Sequence, residues 1–116
     1  MKRTINRRRR SKIIQLVKNK LKITENDVKR AVKDYLNIKG WFNFPLTAGM
    51  GSYPGLPDRI AVKNGRTLYI EIKRPGGKQS DHQREFQHNI WLKGGQYILV
   101  KCVEDLINAI NEIKGR

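Results

Sequence analysis

Cysteine and histidine are scarce in this chain of 116 residues, which contains one cysteine, Cys102, and two histidines, His82 and His88. A single cysteine excludes a disulfide framework and a zinc site built on cysteines. Two histidines argue against a zinc site or a histidine–metal nuclease. Long apolar runs are also missing, so the sequence predicts neither a membrane span nor a secretory signal. We therefore expect a protein of a reducing cytoplasm with no membrane partner.

Acidic residues are absent from residues 1–24, which contain five lysines and five arginines. The rest of the chain has 15 basic and 10 acidic residues, so ten of the net fifteen positive charges belong to this N-terminal stretch. Clustered arginines on a basic chain favour a polyanionic partner, most simply nucleic acid, over a solvated or targeting tail. The candidate nucleic-acid contacts are Arg7, Arg8, Arg9, Arg10, Lys12 and Lys78.

The chain divides into a basic arm, 1–22, and one domain, 23–116, which is long enough for one modest core. The arm is expected either as a basic helix from about Ser11 or as a tail that orders on a polyanion.

The domain shows the order helix, three strands, helix, strand, helix, which predicts an α/β fold with a mixed sheet flanked by helices. Capping boxes indicate two helix starts, one at Thr24 with Asp27 and one at Ser80 with Gln83. These helices are expected to end near Ile38 and at Gly94-Gly95. The expected strands are 41–47, the two arms of a hairpin over 58–73, and 96–102, and the closing helix is 104–114. Because strand 96–102 is mostly apolar, we expect it inside the sheet.

Asn64-Gly65 lies between two strand-like runs and supplies the two positive φ angles that a type I′ hairpin turn requires. In that register the numbers of facing residues sum to 129, so Asp58 faces Glu71. Lys73 lies on the same face, two residues beyond Glu71. The sequence therefore predicts two acids and a lysine at one end of a hairpin.

Two facing acids destabilise each other unless something offsets their charge, and a divalent cation is the natural candidate. Mg²⁺ and Mn²⁺ take oxygen ligands, and either ion can support hydrolysis of a phosphodiester. Lys73 would orient the attacking water or stabilise the developing charge. The alternative is structural: Glu71 and Lys73 as exposed alternating polar residues, Asp58 as a turn residue, or a register broken by a bulge.

Two further polar residues are candidates for the same site. Glu25 lies three residues before Val28, so it follows the apolar stripe of its helix towards the sheet, although a Glu in the first turn also suits the helix dipole. Gln83 lies on the stripe of Phe86 and Ile90, but its capping box alone would explain it.

These motifs together resemble one family. Gly55-Leu-Pro-Asp58, Glu71-Ile-Lys73 and Ser80-x-x-Gln83, with Glu25 upstream, are similar to the virus-type replication–repair nuclease (VRR-NUC) domain of the PD-(D/E)xK nuclease superfamily. The resemblance covers roughly Thr24 to Val103 and leaves the basic arm outside. It implies a restriction-endonuclease-like core.

The resemblance also implies roles for individual residues. Asp58 and Glu71 would bind Mg²⁺ or Mn²⁺, with the Ile72 carbonyl as a third ligand and Glu25 acting directly or through water. Lys73 would act on the nucleophile, and Gln83 would position the site.

Single-domain members of the family, often phage-borne, look like homodimeric nucleases that act on branched DNA. The expectation is therefore a homodimeric Holliday (four-way) junction resolvase in the cytoplasm of a bacterium or a phage-infected host. The alternative is a non-catalytic basic nucleic-acid-binding protein, which would not need Asp58, Glu71 and Lys73 on one face.

Overall fold

A computed structural model describes residues 7–20 and 22–115, without the side chains of 15–20. The elements follow the order α1 (Arg7–Lys20), α2 (Glu25–Ile38), β1 (Phe42–Pro45), β2 (Arg59–Lys63), β3 (Arg66–Ile72), α3 (Asp81–Leu92), β4 (Gln96–Val100) and α4 (Val103–Lys114). The expected element order of the domain is confirmed. Within the described ranges, no helix combines the length and the apolarity that a membrane crossing requires.

The four strands form one mixed sheet in the order β1-β2-β3-β4. The first three strands are antiparallel, and β4 runs parallel to β3. The sheet is flanked by helices, so the coarse α/β prediction is confirmed. The prediction that the last strand is internal was wrong, because β4 is an edge strand of this sheet. Its apolar residues are instead buried by α3 and α4, which both pack on it.

The hairpin has the predicted register. Asn64 and Gly65 adopt φ angles of 51° and 77°, as a type I′ turn requires. The pairs run from Lys63 with Arg66 to Arg59 with Ile70, without a bulge. Every side chain therefore lies on the face that the alternation predicts.

One face of the sheet forms the core with α2 and α4. The buried side chains come from alternate positions of the strands and from the apolar stripes of the two helices: Val28, Val32, Leu36, Trp41, Ala61, Leu68, Ile70, Ile72, Ile98, Val100, Leu106 and Ile110. On the opposite face, Phe86 of α3 contacts the rings of Tyr69 and Tyr97, with centroids 5.9 and 6.3 Å apart. This second face carries the candidate site.

The helix starts agree with the sequence and the first strand is shorter than expected. Thr24 and Ser80 form both predicted capping boxes. The arm contains a helix, and its described residues start at Arg7, before the expected start near Ser11. Regular pairing of β1 ends at Pro45, which has no N–H to donate; one further hydrogen bond follows, from the Leu46 N–H to the Asp58 carbonyl at 2.8 Å.

The loop before β2 packs tightly on the start of α3. Gly55 has a φ angle of +80°, and a Cβ at this position would overlap the backbone carbonyl of His82. Only glycine allows both the dihedral angle and this close approach. The Gly-Leu-Pro-Asp segment is thus held between the sheet and α3, and Asp58 lies at its end.

Candidate active site

Asp58 and Glu71 meet at the open end of the hairpin. Asp58 is one step beyond the last regular pair, Arg59 with Ile70, so it faces Glu71. Its carboxylate accepts a hydrogen bond of 2.7 Å from the N–H of Ile72. The two carboxyl groups influence each other, because the pKa of Glu71 is raised first by burial and then by Asp58. Lys73 follows on the same face, so the predicted juxtaposition of the three residues is present.

Glu71 is the one charged residue that is buried in the described part of the chain, and its side chain is 1% exposed. Its Oε1 accepts a hydrogen bond of 3.0 Å from the Gln83 amide and lies 3.4 Å from the Lys73 ammonium. Its Oε2 is buried without a hydrogen-bond partner. A buried carboxylate oxygen without a partner is costly, so this half of Glu71 is available to a ligand.

Burial, with a further contribution from the neighbouring Asp58 and a smaller lowering by Lys73, raises the pKa of Glu71 to about 8. Burial also raises the pKa of Tyr97, with a further contribution from the negative charge of Glu71. Both shifts have the same main cause, burial, which disfavours the charged form of each group. Strong perturbation of this kind by burial and a charge partner marks candidate functional sites.

The Gln83 side chain makes two hydrogen bonds, whereas its sequence pattern indicates only the capping box. Its carbonyl oxygen accepts a hydrogen bond of 2.8 Å from the backbone N–H of Ser80, which completes the capping box. Its NH₂ group donates to Glu71. Because capping fixes the amide oxygen, the donor group is aimed at Glu71. The capping box therefore does not account for Gln83 by itself.

Lys29 belongs to this cluster, although sequence reasoning missed it. Its ammonium lies 3.6 Å from the Asp58 carboxylate and 3.4 Å from that of Glu25. Glu25 therefore reaches the acid pair through Lys29, and its direct participation is not seen. The i,i+4 spacing of Glu25 and Lys29 signals their ion pair, but the contact with Asp58 depends on how α2 packs against the sheet.

Two oxygen-bearing groups at the site suit a divalent cation: the free Oε2 of Glu71 and the carboxylate of Asp58. The backbone of Ile72 forms the wall beside them, since its N–H is bonded to Asp58 and its side chain is buried in the core. Among the described residues, no group of three or more His, Cys, Asp or Glu side chains converges on one point. A cation here would depend on two carboxylates, with backbone and water oxygens as its remaining ligands.

The basic candidates lie away from the acid pair in sequence and are exposed. Arg7–Arg10 and Lys12 are exposed on α1, and Lys78 is exposed in the loop before α3. Lys73 and Lys29 are the basic residues within the acid cluster itself.

Comparison of the chain with protein-family models and with curated proteins finds no match. The functional assignment therefore depends on the residues and their geometry.

Without divalent cations, we expect folding stability to fall as the pH rises from about 5 to about 8. Glu71 ionises near its ordinary pKa of 4.5 in the unfolded chain and at a pKa of about 8 in the folded one. In this window the unfolded chain binds fewer protons, so rising pH favours unfolding. Added Mg²⁺ should raise the melting temperature more near pH 8 than near pH 5, since it binds the ionised form. Thermal melts in EDTA and in Mg²⁺ measure both effects.

Glu71→Gln is the matched control for these melts, because it keeps the shape and removes the charge. The difference between the two proteins isolates the contribution of Glu71 from those of all other titratable groups. Identical pH profiles for the wild type and Glu71→Gln would contradict the high pKa of Glu71.

Proposed function

We propose that this protein is a divalent-metal-dependent DNA endonuclease with a PD-(D/E)xK core of the VRR-NUC type. One observation carries the proposal: a fully buried Glu71 keeps one carboxylate oxygen without a partner, directly beside a second acid. Burying such a group costs stability, and an apolar or amide side chain would fill the same space without that cost. A cation bound between Asp58 and Glu71 would offset this cost. The basic composition then favours a phosphodiester as the substrate.

Each residue of the site has a part in this proposal. Asp58 and Glu71 would hold Mg²⁺ or Mn²⁺, with the Ile72 carbonyl as a third ligand. When bound, the ion supplies a Lewis acid and lowers the pKa of water. Lys73, with its ammonium 3.4 Å from Glu71, is placed to orient the attacking water or to stabilise charge on the phosphate.

Gln83 and Lys29 would support the acid pair from two sides. The Gln83 amide binds Oε1 of the Glu71 carboxylate, and Oε2, which has no partner, would be the ligand oxygen. Lys29 would neutralise part of the charge of Asp58. Because Lys29 also pairs with Glu25, Glu25 would act indirectly, through Lys29. Such residues shape the site without contacting the reacting atoms.

The basic arm would supply affinity without specificity. Its ten basic residues with no acid give it a dense positive charge, and the arginines at the start of α1 are exposed. Phosphate contacts by such side chains position a protein on nucleic acid without reading the sequence.

We further propose a homodimer that resolves four-way DNA junctions. Each chain has one acid pair, and one such site cuts one strand. Resolving a junction requires two cuts on strands related by a two-fold axis, which a two-fold symmetric dimer matches. Trp91 and Leu92 are exposed at the end of α3, beside the edge strand β4, which leaves apolar surface for self-association.

The catalytic proposal predicts that Asp58→Asn, Glu71→Gln and Lys73→Ala each reduce cleavage at least about a hundredfold while DNA binding in EDTA persists. Removing a ligand charge weakens metal capture, whereas affinity depends on the basic surface. Asp34→Asn, an exposed acid of α2, is the matched control and should cleave normally. Cleavage of linear, flapped and four-way DNA with Mg²⁺, Mn²⁺, Ca²⁺ or EDTA measures the effect. Full activity in EDTA or in Glu71→Gln would contradict the mechanism, and binding without cleavage under any condition would favour the non-catalytic alternative.

If the arm contacts phosphates, its positive charge should strengthen binding to DNA of every shape. Replacing Arg7–Arg10 with glutamine should weaken binding to linear and branched DNA alike and reduce the salt slope by about 0.9 per lost phosphate contact. The matched control replaces four exposed basic residues of the body, Arg30, Lys33, Lys93 and Lys114, with glutamine. Equal salt slopes in the two variants would show that the arm does not contact the DNA. Loss of affinity for one DNA shape only would show that the arm recognises that shape.

The dimer proposal predicts sedimentation as a dimer at micromolar concentration and faster cleavage of four-way junctions than of linear duplex. The two cuts should lie symmetrically about the branch point. A monomer that cuts both substrates equally would leave a metal nuclease and exclude the resolvase.

A further inference from the structure

On the sheet face that carries Asp58 and Glu71, strand β1 has exposed apolar side chains. On this face Phe42 and Phe44 of β1 lie beside Val62 and Ile60 of β2. Helix α3 packs on the β3–β4 side of this face, where Phe86 contacts Tyr69 and Tyr97. Phe42 is 71% exposed and Phe44 is 39% exposed. The two apolar side chains that alternate along β1, Phe42 and Phe44, are thus at least partly exposed to solvent.

The two phenylalanines lie at a short distance from the acid pair along the same face. Phe44 faces Ile60, which is two residues from Asp58. Two residues along a strand and one strand spacing across amount to about 8 Å between Cα atoms, and Phe42 is about 7 Å further away. A stacked strand advances about 3.4 Å per nucleotide. Phe44 and Phe42 would therefore lie roughly two and four nucleotides from a phosphate held at Asp58.

On the basis of the proposed nuclease function, we propose that Phe42 and Phe44 stack against unpaired bases of the DNA strand that is cut at Asp58 and Glu71. The substrate class is then DNA with unpaired nucleotides next to the cleaved bond, as at a flap, a gap or an opened branch point. Aromatic side chains bind unpaired bases with little sequence preference, because every base presents a flat face.

The composition of this surface favours bases over phosphates. On the β1 side of this face the paired positions are uncharged in all three antiparallel strands: Phe42, Phe44, Ile60, Val62 and Thr67. Phosphates require basic side chains or backbone donors, and this surface has no basic side chain among those positions. The Phe42 and Phe44 rings are 5.7 Å apart at 56°, so they are not stacked face to face on each other.

The same surface is less suited to a second protein chain. Strand β1 has four residues and ends in Pro45, which lacks a backbone N–H. A short edge with a proline discourages the addition of a further strand. The net charge of +15 attracts DNA to the molecule. Charge and strand geometry together favour a nucleic-acid strand on this face.

The test measures affinity by fluorescence anisotropy in EDTA, on a blunt duplex and on the same duplex with a single-stranded segment. The proteins are the full-length wild type, Phe42→Ala, Phe44→Ala, Phe42→Leu, and Ile38→Ala as a control at an exposed apolar residue of α2. Phe42→Ala or Phe44→Ala should weaken binding to the partly single-stranded DNA by about 5- to 100-fold. Binding to the blunt duplex and the behaviour of Ile38→Ala should stay unchanged.

Phe42→Leu separates bases from a protein partner, since leucine keeps an apolar contact and removes the flat ring. Loss of affinity in Phe42→Leu supports stacking. Full affinity in Phe42→Leu, together with a smaller sedimenting species in Phe42→Ala, would overturn it in favour of an interface between chains. Unchanged affinity in both alanine variants, with metal-dependent cleavage intact, would overturn the stacking and leave the nuclease. A wild type that binds neither DNA would remove the proposed function itself.

Discussion

The hydrogen bond from the Ile72 N–H to the Asp58 carboxylate joins the two strands that carry the candidate site. Ile72 places its side chain in the core and its backbone at the site, so the packing of the core fixes the position of this N–H. Asp58 is held from the other side by the tight approach of Gly55 to α3. The acid pair is therefore positioned by the rigid part of the fold rather than by a free loop, which is what a preorganised site requires.

The same arrangement has an energetic cost. Glu71 occupies a position on β3 where an apolar side chain would be buried without penalty, and its neighbours satisfy one of its two oxygens. Gln83 and Lys73 offset part of the cost and Asp58 adds to it. Conflict between local stability and a buried polar group is expected where function requires that group. Divalent cations and protons are the two species that relieve it.

Local patterns predicted much of this arrangement. Asn64-Gly65 determined the register, and the register determined that Asp58 faces Glu71, because pairing in a tight hairpin depends only on nearby residues. The capping boxes of Thr24 and Ser80 predicted two helix starts for the same reason. The depth at which Glu71 is buried was not predictable, since burial depends on how α3 and the sheet come together.

Features that depend on packing between elements distant in the chain could not be predicted from the sequence. Lys29 reaches Asp58 because of the angle at which α2 meets the sheet, and spacing along α2 indicates only its pair with Glu25. Strand β4 has the apolar composition of an internal strand, yet two helices rather than two strands bury it. The exposure of Phe42 likewise depends on packing, since α3 packs on the β3–β4 side of the sheet face.

If Asp58 and Glu71 form the proposed cation site, Mn²⁺ binding should release protons from it. Calorimetric titration in two buffers of different ionisation enthalpy gives the number of protons released per ion bound. Near pH 7 the high pKa of Glu71 leaves it protonated, so the wild type should release close to one proton as it binds Mn²⁺. Glu71→Gln should release none. Mn²⁺ binding by the wild type without proton release, or equal proton release by both proteins, would contradict a cation site at Asp58 and Glu71.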